Sequence, residues 1–244
     1  MKNIKLCIRY DGTNYYGWQR QPDKITVGGI LEDKLQELIK QPVKIISASR
    51  TDAGAHAYGQ VVNFKANISW DVKVLPKAIN ARLPQDIVVY DACYVPMNFH
   101  ARFSAKWRRY QYLILNSEFP SPFYRNYTYF YPHPLDISRM ISATKFLLGK
   151  HDFTAFAIEA DTIQNPIRTV KLLLVEKRDK FISIDIIADA FLYGMIRSIV
   201  GLLIDIGCGR REIDDVKYII QSKDRSKGSW VAPACGLYLV EVGY

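Results

Sequence analysis

Residues 43–65 read VKIISASRTDAGAHAYGQVVNFK. Val, Ile and Phe crowd the two ends, while small and polar residues fill the middle. The pattern predicts two strands, 43–48 and 59–65, around a short loop, SRTDAGAHA, at 49–57. Within that loop Arg50 stands two places before Asp52, and Gly54 two places after it. A carboxylate on a short loop with a guanidinium beside it suits a nucleophile kept ionised, because Arg50, facing Asp52, would lower its pKa and aim its oxygens. The same nine residues equally suit a structural Asp-Arg pair in a hairpin turn, which is the commoner use of such a loop.

Working outward, the flanks repeat one order twice. Ile4, Leu6, Ile8 and Tyr10 alternate as a strand. Ile30, Leu31, Leu35, Leu38 and Ile39 recur at helical spacing after Gly28-Gly29. Beyond the loop, Leu75, Ala78, Ile79 and Ala81 predict a short helix, and IVVYDACYV (87–95) a strand. The second half offers a strand at 107–116, a helical stripe from Ile137 through Leu148, and strands 169–177 and 180–188 meeting at Arg178-Asp179. A further stripe follows from Leu192 to Leu203, then an extra helix at 212–221 and a closing strand, GLYLVEV, at 236–242. Two β-α-β-β-α-β units in tandem predict an α+β fold of two ferredoxin-like halves, 1–104 and 105–244. Their sheets are expected to join into one broad antiparallel sheet, with helices on one face and a central basic cleft on the other. Between the halves, SEFPSPFYRNYTYFYPHP (117–134) reads as an ordered surface loop, rich in Pro and aromatics.

Bulk properties bound the function. The 244 residues suffice for a large core. The 33 Lys and Arg against 24 Asp and Glu give a net charge of +9, which favours a polyanionic partner because neutralising phosphates releases counterions. Basic residues interleave with aromatics in YDGTNYYGWQRQ (10–21) and in HARFSAKWRRYQYLI (100–114), a pattern suited to phosphate contact and base stacking. If 107–115 is a strand, Arg108, Tyr110 and Tyr112 share one face, so Tyr110 is expected to face the cleft with Arg108 beside it. Arg102, Lys106, Arg108 and Arg109 are the candidate phosphate contacts. Arg197 lies inside the otherwise apolar AFLYGMIRSIVGLLIDIG (190–207), where a charge is costly unless paired. Its candidate partners are Asp185, Asp189, Asp205 and Asp52.

Other chemistries find little support. Asp52-Ala53-Gly54 faintly resembles the Asp-Thr-Gly of aspartic proteases, but the second copy those enzymes need is missing from the sequence. No particular second carboxylate stands out as a glycosidase partner for Asp52. Walker A, H-E-x-x-H and G-x-S-x-G motifs are absent, and Gly207-Cys208-Gly209 fits a helix C-cap. The four Cys are scattered without metal spacing, so no metal is expected and the thiols read as buried and cytosolic. Neither a secretory signal nor a membrane span is expected. Two rival classes remain: a non-enzymatic RNA-binding protein, for which Asp52 in a basic cleft has no use, and a sugar-active hydrolase.

YDGTNYYGWQRQ, SRTDAGAHA, HARFSAKWRRYQY, NPIRTV, AFLYGMIRSIVG and APACGLYLVEV occur in this order over nearly the whole chain. Together they closely resemble the TruA-type family, the tRNA pseudouridine synthase A enzymes. The resemblance implies an isomerase that converts uridine to pseudouridine at nucleotides 38, 39 and 40 in the tRNA anticodon arm. It implies no cofactor, a cytoplasmic homodimer, and a two-half fold like the one read above. Carried over motif by motif, Asp52 is the expected nucleophile, acting at the ribose C1′ directly or through a glycal. Arg50 helps hold the flipped nucleotide, Tyr110 stacks on the target base, Arg197 pairs with Asp52, and Leu237 lines the base pocket. His56 matches the loop pattern as well, with a loop-stabilising hydrogen bond as its expected part. Ser49 and Ala55 stand where the family usually has Gly and Val, and Trp230 where small residues are more usual.

Overall fold

The computed structural model describes residues 1–159 and 164–244, and divides the chain into two compact units. The first comprises Met1–Lys106 and Tyr238–Tyr244, the second Trp107–Leu237. The closing strand therefore belongs with the first unit, although its place in the chain predicted the second.

In the first unit the order is β1 (Lys2–Tyr10), α1 (Val27–Ile39), β2 (Ile46–Ser47), β3 (His56–Ala66), α2 (Leu75–Asn80) and β4 (Ile87–Val95). β1 is central, antiparallel to β3 on one side and to β4 on the other. β2 lies beside β3, which completes the ferredoxin-like arrangement. Alternation decides the packing. Ile4, Leu6 and Ile8 of β1 are fully buried, as are Val62 and Phe64 opposite them on β3. Leu31 and Leu35 of α1 and Leu75 and Ile79 of α2 are fully buried too. Each such side chain contributes about 1.5–3 kcal/mol by leaving water. The Thr26 hydroxyl caps α1 by accepting from Gly29 N–H at 3.2 Å.

The last chain segment, β10 (Leu237–Gly243), pairs parallel with β3 at Tyr238↔His56 and Leu239↔Ala57. This parallel pair departs from the expected antiparallel pattern, and strands supplied from opposite ends of the chain need no hairpin between them. The same pairing explains why β3 begins at His56 rather than at residue 59. The strand expected at 43–48 shrinks to the two residues of β2.

In the second unit, β5 (Trp107–Asn116), β9 (Phe181–Ala188), β8 (Ile167–Arg178) and β7 (Gly149–Asp152) form consecutive antiparallel pairs. β6 (Tyr129–Tyr131), within the segment read as a surface loop, pairs parallel with the end of β5. The helices are α3 (Ile137–Thr144), α4 (Met195–Gly207) and α5 (Asp215–Ser222). The stripe expected to run to Leu148 stops at Thr144 and gives way to a turn and then β7. α4 starts at Met195, later than the stripe predicted, because Gly194 takes φ +73° just before it. The turn between β8 and β9 centres on Asp179, at φ +54°.

One face of this sheet is buried. Tyr110, Tyr112 and Ile114 of β5 share it with Ile186, Ile184 and Ile182 of β9, and with Leu173 and Val175 of β8, against which α3 packs. The opposite face carries Arg109, Gln111 and Leu113 with Asp185, Ser183 and Leu174, and lines an open groove of about 510 Å³. Among the described residues no helix is long and apolar enough to cross a membrane.

Candidate active site

The loop before β3 is held by a second loop, residues 11–18. Trp18 N–H donates to Thr51 O at 3.1 Å, and Gly54 N–H to Tyr15 O at 3.2 Å. The Tyr10 and Thr51 hydroxyls share a 2.7 Å hydrogen bond. The two backbones touch so closely that only glycine fits at the crossing points. A Cβ on Gly12 would fall 1.9 Å from Ala55 O, and one on Gly17, whose φ is +80°, would fall 2.6 Å from Thr51 O. Gly54 itself sits at φ +79°, the left-handed region open to glycine. The chain thus reverses sharply straight after Asp52, and Ala55 N–H returns to Asp52 O at 3.1 Å. Asp52 is half-buried at the tip of this frame.

His56 closes the frame from below. Its Nδ1 accepts the Gly12 N–H at 3.1 Å and also lies 3.1 Å from Asp11 Oδ1. The Gly12 N–H is fixed by the backbone crossing, and Asp11 Oδ1 already accepts from Thr13 N and Oγ1 at 2.9 and 2.6 Å. The buried ring stacks on Tyr238, 4.7 Å between centroids.

Two sequence expectations change in this region. YDGTNYYGWQRQ reads as an RNA-contacting stretch, yet Tyr10, Tyr15 and Trp18 are buried. Arg20 is paired with Glu32 and Asp33. Burial and the Asp86 carboxylate, which accepts from the Tyr15 hydroxyl, push that phenol up. The stretch is the scaffold of the Asp52 loop, and Gly12 and Gly17 are the site residues that composition alone did not single out. Arg50 is exposed and makes no ion pair with Asp52 among the described residues, so the expected guanidinium-carboxylate contact within the loop is absent. Arg102 and Lys106 are exposed further along the same unit, with the Arg102 guanidinium 5.6 Å from the Phe103 ring centroid.

In the second unit, Tyr110 and Arg108 do share a face of β5, but it is the buried one, not the open face that was expected to carry Tyr110. Tyr110 is 3% exposed and meets Phe191 edge-on at 5.2 Å. Arg108 is 6% exposed and donates from Nη1 to Asp189 O at 2.7 Å. Arg109, on the opposite face, binds Asp185 Oδ1 through Nε and Nη2 at 3.0 and 2.7 Å. Arg102 and Lys106 are the more exposed of the four candidate phosphate contacts.

Arg197 occupies the first turn of α4. Its Nε donates to Ala232 O at 2.5 Å, and Ala232 N–H returns to Arg197 O at 3.1 Å. The three nearby carboxylates expected as partners are engaged elsewhere. Asp185 holds Arg109 and Gln111; Asp189 accepts from Thr169 and Ala190 N–H; Asp205 holds Arg210, Ser229 and Trp230. From Ala232 the chain passes Pro233, whose carbonyl accepts from the Tyr112 hydroxyl at 2.7 Å, and reaches the buried Leu237. Burial pushes the Tyr112 phenol and the Cys235 thiol up, with the Arg197 charge near enough to oppose both. All four cysteines are free, and no cluster of metal-binding side chains occurs among the described residues.

Comparison with known proteins agrees with the motif order. A family model described as tRNA pseudouridine synthase matches residues 6–104 and 143–244. The tRNA pseudouridine synthase A of Thermoanaerobacter sp. (strain X514) is 46% identical over 244 residues, covering all of both chains. Those of Acetivibrio thermocellus and Caldicellulosiruptor saccharolyticus are 45% and 41% identical, again over the full length of both chains. Among solved structures, a Cbf5-Nop10-Gar1 complex matches at a TM-score of 0.36 and 10% identity, covering 82% of this chain and 54% of that one, too remote to bear on the site. By its family match and by its end-to-end identity with these relatives, the chain belongs to the tRNA pseudouridine synthase A family, isomerases of the pseudouridine synthase class.

Proposed function

We propose that this chain converts uridine to pseudouridine at nucleotides 38, 39 and 40 of the tRNA anticodon arm, with Asp52 as the nucleophile. The observation that carries the assignment is the frame around Asp52. Three glycines and two backbone hydrogen bonds hold the loop that carries the half-buried Asp52 at its tip. A rigid carboxylate is what attack on a sugar carbon requires, since the acceleration comes from holding the reacting atoms in line.

The target base must leave its stack to be reached, at a cost of a few kcal/mol. Stacking on Tyr110, whose buried ring the base would reach only by displacing what covers it beside Phe191, and phosphate contacts from Arg102 and Lys106 would offset that cost, and the exposed Arg50 would hold the everted nucleotide. Asp52 then attacks the ribose C1′ and the N1–C1′ bond breaks. The uracil turns within its pocket beside Leu237, a C5–C1′ bond forms, and the carboxylate leaves. C5 loses its proton and N1 gains one. Bonds are exchanged without net oxidation, so the reaction calls for no redox cofactor. Arg197 is proposed to pair with Asp52. That reading is supported by the engagement of Asp185, Asp189 and Asp205 elsewhere, and by the ability of a planar fork to grip both carboxylate oxygens. A cytoplasmic homodimer acting on tRNA completes the reading by family likeness.

The test uses a tRNA transcript carrying uridine tritiated at C5, followed by mapping of pseudouridine along the product. The expected result is release of label into water, with new pseudouridine confined to positions 38–40. Label release with pseudouridine in another arm would keep the chemistry and overturn the positions. Tight tRNA binding without label release would favour a binding protein.

A further inference from the structure

α4 carries a second chain segment along one side. At Asp205, two turns beyond Arg197, the carboxylate accepts from the Ser229 hydroxyl and, at 3.2 Å, from Trp230 Nε1. Arg210 closes the other side through Nε and Nη2 at 2.9 and 2.7 Å. One turn back, at Gly201, the segment lies so close that a Cβ would fall 2.2 Å from Trp230 O. A further turn back, Ala232 and Arg197 exchange two hydrogen bonds. Residues 229–232 therefore run beside the helix as a brace, fastened at 205, touching at 201 and fastened again at 197.

The brace has a direct effect on the Arg197 side chain. A guanidinium has five N–H donors in one plane, so fixing Nε on Ala232 O fixes where the Nη nitrogens point. Asp205 is 7% exposed, and a carboxylate that deep is stable only with its lone pairs satisfied. Here four donors from three residues satisfy it. Two of those residues, Ser229 and Trp230, belong to the brace. We propose that Asp205 is a positioning residue for the isomerisation: by anchoring Ser229 and Trp230 it sets the place of Ala232 O and so aims the Arg197 fork. This rests on the reading of Arg197 given above. It also gives Trp230 a use, since the indole N–H that a small residue lacks is one of the anchors.

The test is a double-mutant cycle on single-turnover label release from the C5-tritiated tRNA. Asp205→Asn should lower the rate constant by roughly 10- to 100-fold while tRNA affinity changes less than about threefold, the scale expected when a reacting group is misaimed. Asp205→Glu should recover part of that loss. In an Arg197→Lys background, where the planar fork is gone, Asp205→Asn should cost less than about twofold more. Ser229→Ala and Trp230→Phe, which delete one anchor each and keep the carboxylate, should show smaller losses with the same non-additivity, and they carry the test should Asp205→Asn fail to fold. Equal losses in both backgrounds, or a lowered melting temperature with an unchanged rate, would overturn the proposal while leaving Arg197's part intact. Full activity of Arg197→Lys alone would instead overturn the reading of Arg197, and this proposal with it.

Discussion

The Asp52 loop and the brace on α4 are both irregular segments held in fixed places, with a different balance of backbone and side-chain contacts. The Asp52 loop is held chiefly by backbone on backbone: Gly12 and Gly17 permit contacts that no Cβ could make, and Gly17 and Gly54 take a φ that other residues seldom adopt. The brace leans on side chains at both ends, one buried carboxylate gathering an arginine, a serine and a tryptophan and Arg197 Nε holding Ala232 O, with a backbone contact at Gly201 and one backbone hydrogen bond at Ala232 between and beside them. A backbone frame tolerates almost no substitution but has few ways to adjust. A side-chain anchor can be weakened one donor at a time. The difference suits the proposed parts, a nucleophile that must not move and a cation whose aim can be tuned.

The sharpest way to break the comparison is to force a side chain into the backbone frame. Gly12→Ala must push the loop off Ala55 O, and Gly17→Ala adds a strained φ. Each should cost on the order of 3 kcal/mol in urea unfolding and lower label release more than about 100-fold. Replacing the fork itself comes next. Arg197→Lys should reduce turnover by about 100-fold with a melting temperature within a few degrees of wild type, since a point charge cannot replace the planar fork that holds Ala232 O and is proposed to grip Asp52. A smaller effect is expected from Gly201→Ala, which lifts the brace at its middle. It should lower the rate roughly tenfold and stability by about 1–2 kcal/mol. Last, Arg102→Ala and Lys106→Ala should each weaken tRNA binding and reduce its salt slope by about 1, as measured by filter binding across a salt series. Arg109→Ala should change affinity less than about twofold, because its charge is already spent on Asp185.

The same contrast explains what could be read from the chain beforehand. Strands and helices with a clean alternation or stripe were legible: β1, α1, β4, β5 and β9 lie where periodicity predicted them. The Asp52 loop was legible because its strands flank it in sequence. What held the loop was not, since Gly12 and Gly17 reveal their use only when Ala55 and Thr51 lie against them. Strands of three or four residues, such as the aromatic β6 and the polar β7, are too short to show a period, and β10 found its partner from the far end of the chain. Tyr110 is buried where an open face was expected, because alternation tells which residues share a face of β5 but not what covers that face. In the sequence Asp205 reads only as a partner for Arg197; its part in the brace depends on Ser229 and Trp230, residues 24 and 25 places away.

The central claim is that the Asp52 carboxylate makes the attack. Asp52→Asn keeps the loop's shape and backbone bonds while removing the negative charge. In a single-turnover assay with saturating enzyme and C5-tritiated tRNA, the account predicts no label release above background, with tRNA affinity within about threefold of wild type. Release at even about 1% of the wild-type rate from a variant verified as asparagine by mass spectrometry would contradict it.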